Sequence, residues 1–336
     1  MAAVHPLRSP HRAAPLDVGY VWQSSADPAE PLRKPGTLAV IGFGCGPSAT
    51  HDDPRFLQVP LQATGTALLP LEIWNVGDAV TSGRNGDLSW SMGGGYLMVA
   101  LRVSENVHGG IHGAAAYAYR CLLEALALHD HPYLLRAWNY LADINAGEGD
   151  NERYRHFSIG RAEGMAGLNS LAYPAATAIG RVDGIRELVV YALAAKVAGQ
   201  PVENPRQVSA YRYPRQYGPV SPSFARAMRL DMASPALLIS GTASVVGHAS
   251  RHDRADAQIA ETIRNLDSLI GAAGMGACLP VTTLLKAYVR NRGDDAVVRS
   301  AVEHRGLASE RLICLEGDIC RSELLLEIDG VSFAHG

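Results

Sequence analysis

The chain has 336 residues, of which 47% are hydrophobic and 19% charged, so it can build large packed cores and gives no compositional case for disorder. Its 30 lysines and arginines against 33 acidic residues leave a net charge of −3, which gives little support to nucleic-acid binding. Five cysteines without CxxC spacing argue against a disulfide framework and predict a reducing, cytoplasmic location. No run approaches the ~20 apolar residues of a membrane span.

Residues 1–35 are rich in proline, alanine and arginine, and we expect a poorly ordered lead in which 18–22 could dock as a strand. Residues 36–198 are predicted to form the first domain. Its strands are expected at 37–43, 68–76, 87–103, 133–144, 171–179 and 185–195, and its helices at 112–129 and 152–168. The glycine-rich run at 42–46 is followed by Pro47 and Pro54 rather than by a helix, which excludes a dinucleotide-binding fingerprint.

Residues 199–222 form a connector rich in proline and tyrosine. Its second half also carries arginines, at Arg212 and Arg215. Loops of this length inside compact proteins are usually functional or disordered, and the aromatic and arginine side chains favour function. We therefore expect the connector to line a site.

Residues 223–336 are predicted to form a second domain. Its strands are expected at 224–230, 236–240, 282–289, 311–315 and 322–329. Its helices are expected at 254–272, with Asp253 as the cap, and at 294–304. Both domains then have the order strands, helix, strand, helix, strand, strand. This order predicts an α+β protein made by tandem duplication, with mixed sheets and helices packed on one face of each sheet.

The last predicted strand carries the strongest functional signal. From Ser322 the residues alternate between two faces: Leu324, Leu326 and Ile328 on one, and Glu323, Leu325, Glu327 and Asp329 on the other. Like charges on one face repel, so three acids there indicate either a catalytic carboxyl or a solvated strand face.

Two segments resemble the YjgF/RidA superfamily of small α+β proteins. Ile239-Ser-Gly-Thr-Ala-Ser244 is similar to that family's early Ser-Gly strand, and Leu326-Glu-Ile-Asp329 to its terminal strand, whose first glutamate is functional. That glutamate corresponds to Glu327. The family's arginine is matched only approximately, by Arg311, which weakens an imine-deaminase interpretation.

The whole chain more closely resembles the chorismatases, which pair a diverged first domain with a YjgF-like second one. The resemblance is carried by 151–161, by 213–226, by Ser240-Gly-Thr-Ala-Ser244 and by Cys320 followed after six residues by Glu327. Chorismatases split chorismate into pyruvate and a ring product without a cofactor. The resemblance implies that Glu327 is the acid, that Arg161 and Arg226 hold carboxylates, and that Tyr154 and Tyr213 bind the substrate.

In the same resemblance, Gly241 and Cys320 shape the part of the pocket that decides the product. A glycine and a cysteine at these positions are typical of the aromatising branches, which release 3-hydroxybenzoate, alone or with 4-hydroxybenzoate. Two carboxylates on the substrate suit two guanidinium groups. An acid that acts at neutral pH needs a pocket that raises its pKa.

Three other functions stay open at this point. They are a hydrolytic chorismatase that forms a dihydroxycyclohexadiene carboxylate, an imine or enamine deaminase, and a non-catalytic binding protein. The histidine pair 108/112 has i,i+4 spacing but spans a glycine-rich turn, and the pair 248/252 precedes a predicted helix without a nearby cysteine ligand, so no metal is expected. The expected partner is chorismate, without nucleic acid or membrane, and the chain is expected to be a monomer.

Overall fold

Four β-sheets and five α-helices make up the part of the chain that the computed structural model describes, residues 14–24, 28–44 and 52–334. The first sheet has four strands, β1 (Leu16–Gln23), β2 (Thr37–Phe43), β3 (Phe56–Val59) and β4 (Leu69–Val76), in the order β1-β4-β2-β3. A short helix, α1, covers Ala29–Leu32.

Strand β1 lies within the segment 1–35, of which residues 1–13 and 25–27 are outside the described residues. It pairs with β4 along its whole length and buries Leu16 and Val18, so the alternative of a docked strand is the one that the structure has. Alternating apolar residues give this strand one buried face, which explains why it is ordered despite its proline-rich surroundings.

The second sheet has seven strands, in the order β18-β9-β8-β10-β7-β6-β5. Their bounds are β5 (Thr81–Asn85), β6 (Leu88–Gly93), β7 (Tyr96–Ser104), β8 (Tyr133–Ala142), β9 (Ala175–Arg181), β10 (Glu187–Ala195) and β18 (Asp318–Ile319). The helices α2 (Ile111–Leu128) and α3 (Arg153–Gly164) pack on one face of this sheet.

The third sheet has six strands, in the order β11-β12-β13-β19-β16-β17. Their bounds are β11 (Gln200–Val202), β12 (Ala227–Leu230), β13 (Ala236–Thr242), β16 (Leu284–Val289), β17 (Leu312–Glu316) and β19 (Leu326–Phe333). The helices α4 (Ala255–Ala272) and α5 (Asp295–Glu303) pack on one face of it. A separate hairpin joins β14 (Val245–Val246) to β15 (Ala249–Ser250).

The two larger sheets repeat one topology. From β9 to β5 and from β17 to β11, each has one parallel pair followed by four antiparallel pairs, with helices at corresponding connections. The corresponding strands β8 and β16 also have similar residues, Leu134-Leu-Arg-Ala-Trp138 and Leu284-Leu-Lys-Ala-Tyr288. The predicted α+β fold of two tandem units is confirmed.

The inner faces of all three large sheets share a single core. Trp74 of the first sheet, Trp138 and Tyr191 of the second, and Tyr288 of the third are fully buried in it. The first sheet therefore covers apolar surface that the two repeated units would otherwise expose together.

Two local predictions in the second unit are wrong. Helix α4 begins after Arg254 without a side-chain cap, so Asp253 does not cap it. The last strand begins at Leu326 rather than at Ser322, and Glu323 is exposed in the loop before it. None of the helices in the described residues is long and apolar enough to cross a membrane.

Candidate functional site

A cavity of about 370 Å³ opens between the two repeated units, and all seven predicted site residues line it. Helix α3 contributes Tyr154 and Arg161, and the last strand contributes Glu327. The remaining four are Tyr213 and Arg226 around the connector, Gly241 of β13, and Cys320 in the loop after β18. A cavity of this size suits a small organic molecule.

Glu327 and Gly241 face each other across the adjacent strands β19 and β13. A β-bulge at Ser240-Gly241 interrupts the pairing of these strands, and such bulges often re-aim side chains at functional sites. A Cβ atom on Gly241 would lie 1.9 Å from Oε1 of Glu327. The glycine therefore leaves the space that the carboxyl group occupies.

Ser240, the other bulge residue, has a structural role. Its Oγ donates a hydrogen bond to the Ala225 carbonyl (2.6 Å) and accepts one from the Ala176 amide (2.8 Å). These bonds join β13 to the first unit and to the segment that carries Arg226.

Burial raises the pKa of the Glu327 carboxyl from 4.5 to about 8, and the charge of Asp329, two residues further along β19, adds to the rise. Arg136, Arg226 and Arg321 act in the opposite direction. The carboxyl group is 5% exposed and carries its proton at neutral pH, as a general acid must.

The Cys320 Sγ atom lies 4.0 Å from Oε2 of Glu327. Burial raises the pKa of this thiol to about 12, and the nearby Glu327 charge acts in the same direction. Since the thiolate is the nucleophilic form, this cysteine is suited to shaping the cavity rather than to covalent chemistry.

Arg161 and Arg226 present guanidinium groups that the protein leaves partly unsatisfied. They are 4% and 5% exposed, and Nε and Nη2 of Arg161 and Nε of Arg226 have no hydrogen-bond partner among the described residues. Nη2 of Arg226 donates to the Tyr213 hydroxyl (2.6 Å) and to the Val208 carbonyl (2.8 Å). Buried donors without partners are uncommon in proteins and indicate a ligand with acceptor groups.

The connector covers one side of the cavity. The Tyr217 hydroxyl lies 3.2 Å from Nδ1 of His248, and the Arg321 guanidinium stacks on the rings of Tyr213 (5.1 Å) and Tyr217 (4.1 Å). Nη1 of Arg321 also donates to the His248 carbonyl (2.8 Å). Arg321 thus fixes the two tyrosines against the second unit.

The first unit has no counterpart of the acid. Trp138 of β8 and Tyr288 of β16 hold corresponding positions in the two similar segments. The residues that pair with them, on β10 and β19, therefore correspond to each other as well. Tyr191 pairs with Trp138 as Glu327 pairs with Tyr288. A tyrosine thus replaces the glutamate in the first unit, and the duplicated chain carries this carboxyl once.

Among the cavity-lining residues that were not predicted are the polar side chains of Arg155, Thr177 and Arg321. Arg155 is ion-paired to Glu152 (3.1 Å). Arg311, the approximate family match, donates to the Thr282 carbonyl and is not among the described residues that line the cavity. The position of Arg321, next to Cys320, was the one signal in the sequence that could have identified it.

Comparisons with known proteins agree on one family. Residues 72–194 match the family model described as chorismatase FkbO/Hyg5-like, N-terminal. A chorismatase from Streptomyces rapamycinicus is 35% identical over 277 residues, covering 77% of this chain and 81% of the relative. A 3-hydroxybenzoate synthase from Streptomyces hygroscopicus is 34% identical over 302 residues, covering 85% of this chain and 87% of the relative.

Solved structures extend the likeness to the fold. A crystal structure of a chorismatase matches with a TM-score of 0.81 and 28% identity, over 94% of this chain and 98% of that one. A YjgF-family protein from Neisseria meningitidis covers 35% of this chain, with a TM-score of 0.28. With two curated relatives above one third identity over most of their length, the chain belongs to the chorismatase family.

Proposed function

We propose that the protein cleaves chorismate into pyruvate and 3-hydroxybenzoate, with Glu327 as the proton donor. The observation that carries the proposal is the buried Glu327 carboxyl, with its pKa raised to about 8, in a cavity that is also lined by Arg161 and Arg226, whose guanidinium groups keep nitrogens without partners among the described residues. Chorismate has two carboxylates and an enolpyruvyl ether. The cavity therefore offers an anchor for each carboxylate and an acid for the ether.

In the proposed reaction, Glu327 gives its proton to the enol methylene carbon and an oxocarbenium ion forms. The resulting carboxylate then stabilises the cation electrostatically. The oxygen of the neighbouring ring hydroxyl then bonds to the ring carbon that carries the ether, the bond from that carbon to the ether oxygen breaks, and pyruvate leaves while the hydroxyl proton returns to Glu327. Opening of the resulting epoxide, with loss of a proton from the ring and protonation of the phenol oxygen, gives the aromatic acid. These two products together contain all the atoms of chorismate, whereas capture by water would consume one water and give the dihydroxycyclohexadiene carboxylate.

The proposed product follows from Gly241 and Cys320, the pair that the aromatising branches share. Cys320 lies beside the acid and half-buried in the cavity wall, where its side chain limits the space for a water molecule near the cation. The 3-hydroxybenzoate synthase relative is consistent with this product. A mixture with 4-hydroxybenzoate belongs to the same proposal.

Incubation of the purified protein with chorismate, followed by product chromatography, tests the proposal. We expect pyruvate and 3-hydroxybenzoate in equal amounts. Ammonia from an imine substrate, with chorismate left intact, would instead identify a deaminase. Binding of chorismate without turnover would identify a binding protein, and either result would overturn the proposal.

We also propose that the active protein is a monomer. Its cavity is built by the two units of one chain, and the first sheet covers the core that those units share. A sizing measurement should give a mass near 35.8 kDa. A stable trimer would contradict this. The cytoplasmic location inferred from cysteine usage stays a prediction.

A further inference from the structure

Four charged side chains lie fully buried behind Glu327, outside the cavity lining. They are at most 2% exposed and come from four strands of all three large sheets: Glu72 of β4, Arg136 of β8, Lys286 of β16 and Asp329 of β19. The proposed reaction does not use any of them directly. We refer to them as the buried charge cluster.

Asp329 accepts hydrogen bonds from several directions. Its Oδ2 receives bonds from the Thr177 hydroxyl (2.8 Å), the Tyr288 hydroxyl (3.0 Å) and Nη2 of Arg136 (3.2 Å). Nζ of Lys286 lies 3.8 Å from the other oxygen. Both oxygens of this buried carboxyl group therefore have donors or a cation beside them, as a buried acidic side chain requires.

The remaining members complete the cluster. Lys286 donates to Glu72 and to the Tyr191 hydroxyl (3.1 Å), and Nε1 of Trp74 donates to Glu72 (2.6 Å). The cluster thus has two acids and two bases. Replacing buried ion pairs by packed apolar residues is often neutral or stabilising, so stability alone does not account for the cluster.

Glu327 needs a negative charge beside it because several arginines surround it. Arg136, Arg226 and Arg321 all favour the ionised form of Glu327. The uncharged titratable groups near it are Cys320, Tyr154 and Tyr288. Arg226 and Arg321, which line the cavity and suit a dianionic substrate, would therefore also draw the proton from the acid, as would Arg136 from behind it.

Asp329 is the group with the opposite influence on Glu327, and it lies two residues away on the same strand face. The carboxyl groups of Glu152 and Glu323 also line the cavity, but they are bonded to Arg155 and Ser250 at its edge. Asp329 is thus placed to balance the arginine charges from behind the acid.

We propose that Asp329 is a positioning residue that keeps Glu327 in its proton-carrying state, and that Thr177, Tyr288 and Arg136 hold the Asp329 carboxyl group in place. This inference rests on the proposed role of Glu327. The N-terminal sheet is connected to this arrangement through Glu72, which pairs with Lys286, the cation 3.8 Å from Asp329.

The pH dependence of kcat/KM for pyruvate release tests this inference in the wild-type protein, Asp329→Asn and the control Tyr191→Phe. The alkaline limb should fall near pH 8 in the wild type and move at least about one unit lower in Asp329→Asn. Tyr191→Phe removes a partner of Lys286 at constant size and should leave the limb in place. A general loss of rate in Asp329→Asn with an unmoved limb would mean a structural role and would overturn the inference.

If Asp329→Asn does not fold, the double variant Asp329→Asn/Lys286→Met is measured instead. It removes one acidic and one basic side chain together, so the charges of the cluster stay balanced. The same downward shift is expected. Absence of turnover in the wild type would refute the proposed function instead. Wild-type turnover with a limb near pH 8 that both variants retain would refute only the role of Asp329.

Discussion

The Glu327 carboxyl group fills the space that a side chain on Gly241 would need: a Cβ atom at residue 241 would lie 1.9 Å from Oε1 and 2.7 Å from Cδ of the glutamate. The absence of a side chain on β13 is therefore what allows the carboxyl group on β19 to take its position. In this protein the glycine acts on the acid itself and not only on the shape of the cavity.

Gly241→Ala should displace the Glu327 carboxyl and lower kcat for pyruvate release by about 100-fold, because a misplacement of about 1 Å can cost that much. Gly19→Ala is the matched control, since a Cβ there meets nothing within 4 Å. A Gly241→Ala protein with wild-type kcat would show that the acid does not depend on this contact.

Cys320→Ala should raise the share of the dihydroxycyclohexadiene carboxylate among the products. The smaller side chain admits water near the cation that forms beside Glu327, 4.0 Å from the sulfur atom. Chromatography of the products gives the ratio directly. Cys314→Ala, a buried cysteine of β17, serves as control, and an unchanged ratio in Cys320→Ala would remove the residue from this role.

Arg161→Met should weaken binding of chorismate by about 2 kcal/mol or more, roughly 30-fold, because a buried cation with two unpartnered nitrogens is lost as an anchor. Calorimetric titration in the Glu327→Gln background measures this without turnover. The control is Arg120→Met on the exposed side of α2. Equal affinities of the two variants would contradict the assignment of Arg161.

Glu327→Gln should stabilise the protein at alkaline pH. The folded-state pKa of about 8 lies above the ordinary value of 4.5, so the wild-type carboxyl disfavours folding increasingly as pH rises between these values and fully above 8. A neutral amide avoids that cost, which is on the order of 5 kcal/mol. Denaturant titrations at pH 5 and pH 9 should show a gain for the variant that is larger at pH 9. An equal difference at both would contradict a buried, protonated Glu327.

The alternation in 322–329 predicted one strand face with three acids, and the resemblance to the YjgF/RidA terminal strand selected Glu327 among them. The start of the strand was predicted four residues too early, since Ser322 and Glu323 continue the alternation but lie in a loop. Of the other two acids, Asp329 adds to the rise in the pKa of Glu327, whereas Glu323 bonds to Ser250 at the surface.

The buried charge cluster was not predicted, because a charged residue in a strand usually indicates an exposed position. Arg136 and Lys286 each interrupt an apolar run, and the two runs are similar in sequence, Leu-Leu-Arg-Ala-Trp and Leu-Leu-Lys-Ala-Tyr. This repeat was the available signal for both the duplication and the buried cations. Glu72 and Asp329, the two acidic members of the cluster, are 257 residues apart in sequence, so only the tertiary structure brings them together.

The central claim is that Glu327 donates the proton, and pyruvate release from chorismate by the wild type and Glu327→Gln tests it most directly. Near pH 7 the wild type should release pyruvate, and this activity should be lost as the pH rises through about 8. Glu327→Gln should bind chorismate without releasing pyruvate. Pyruvate release by Glu327→Gln at a rate near that of the wild type would contradict the account.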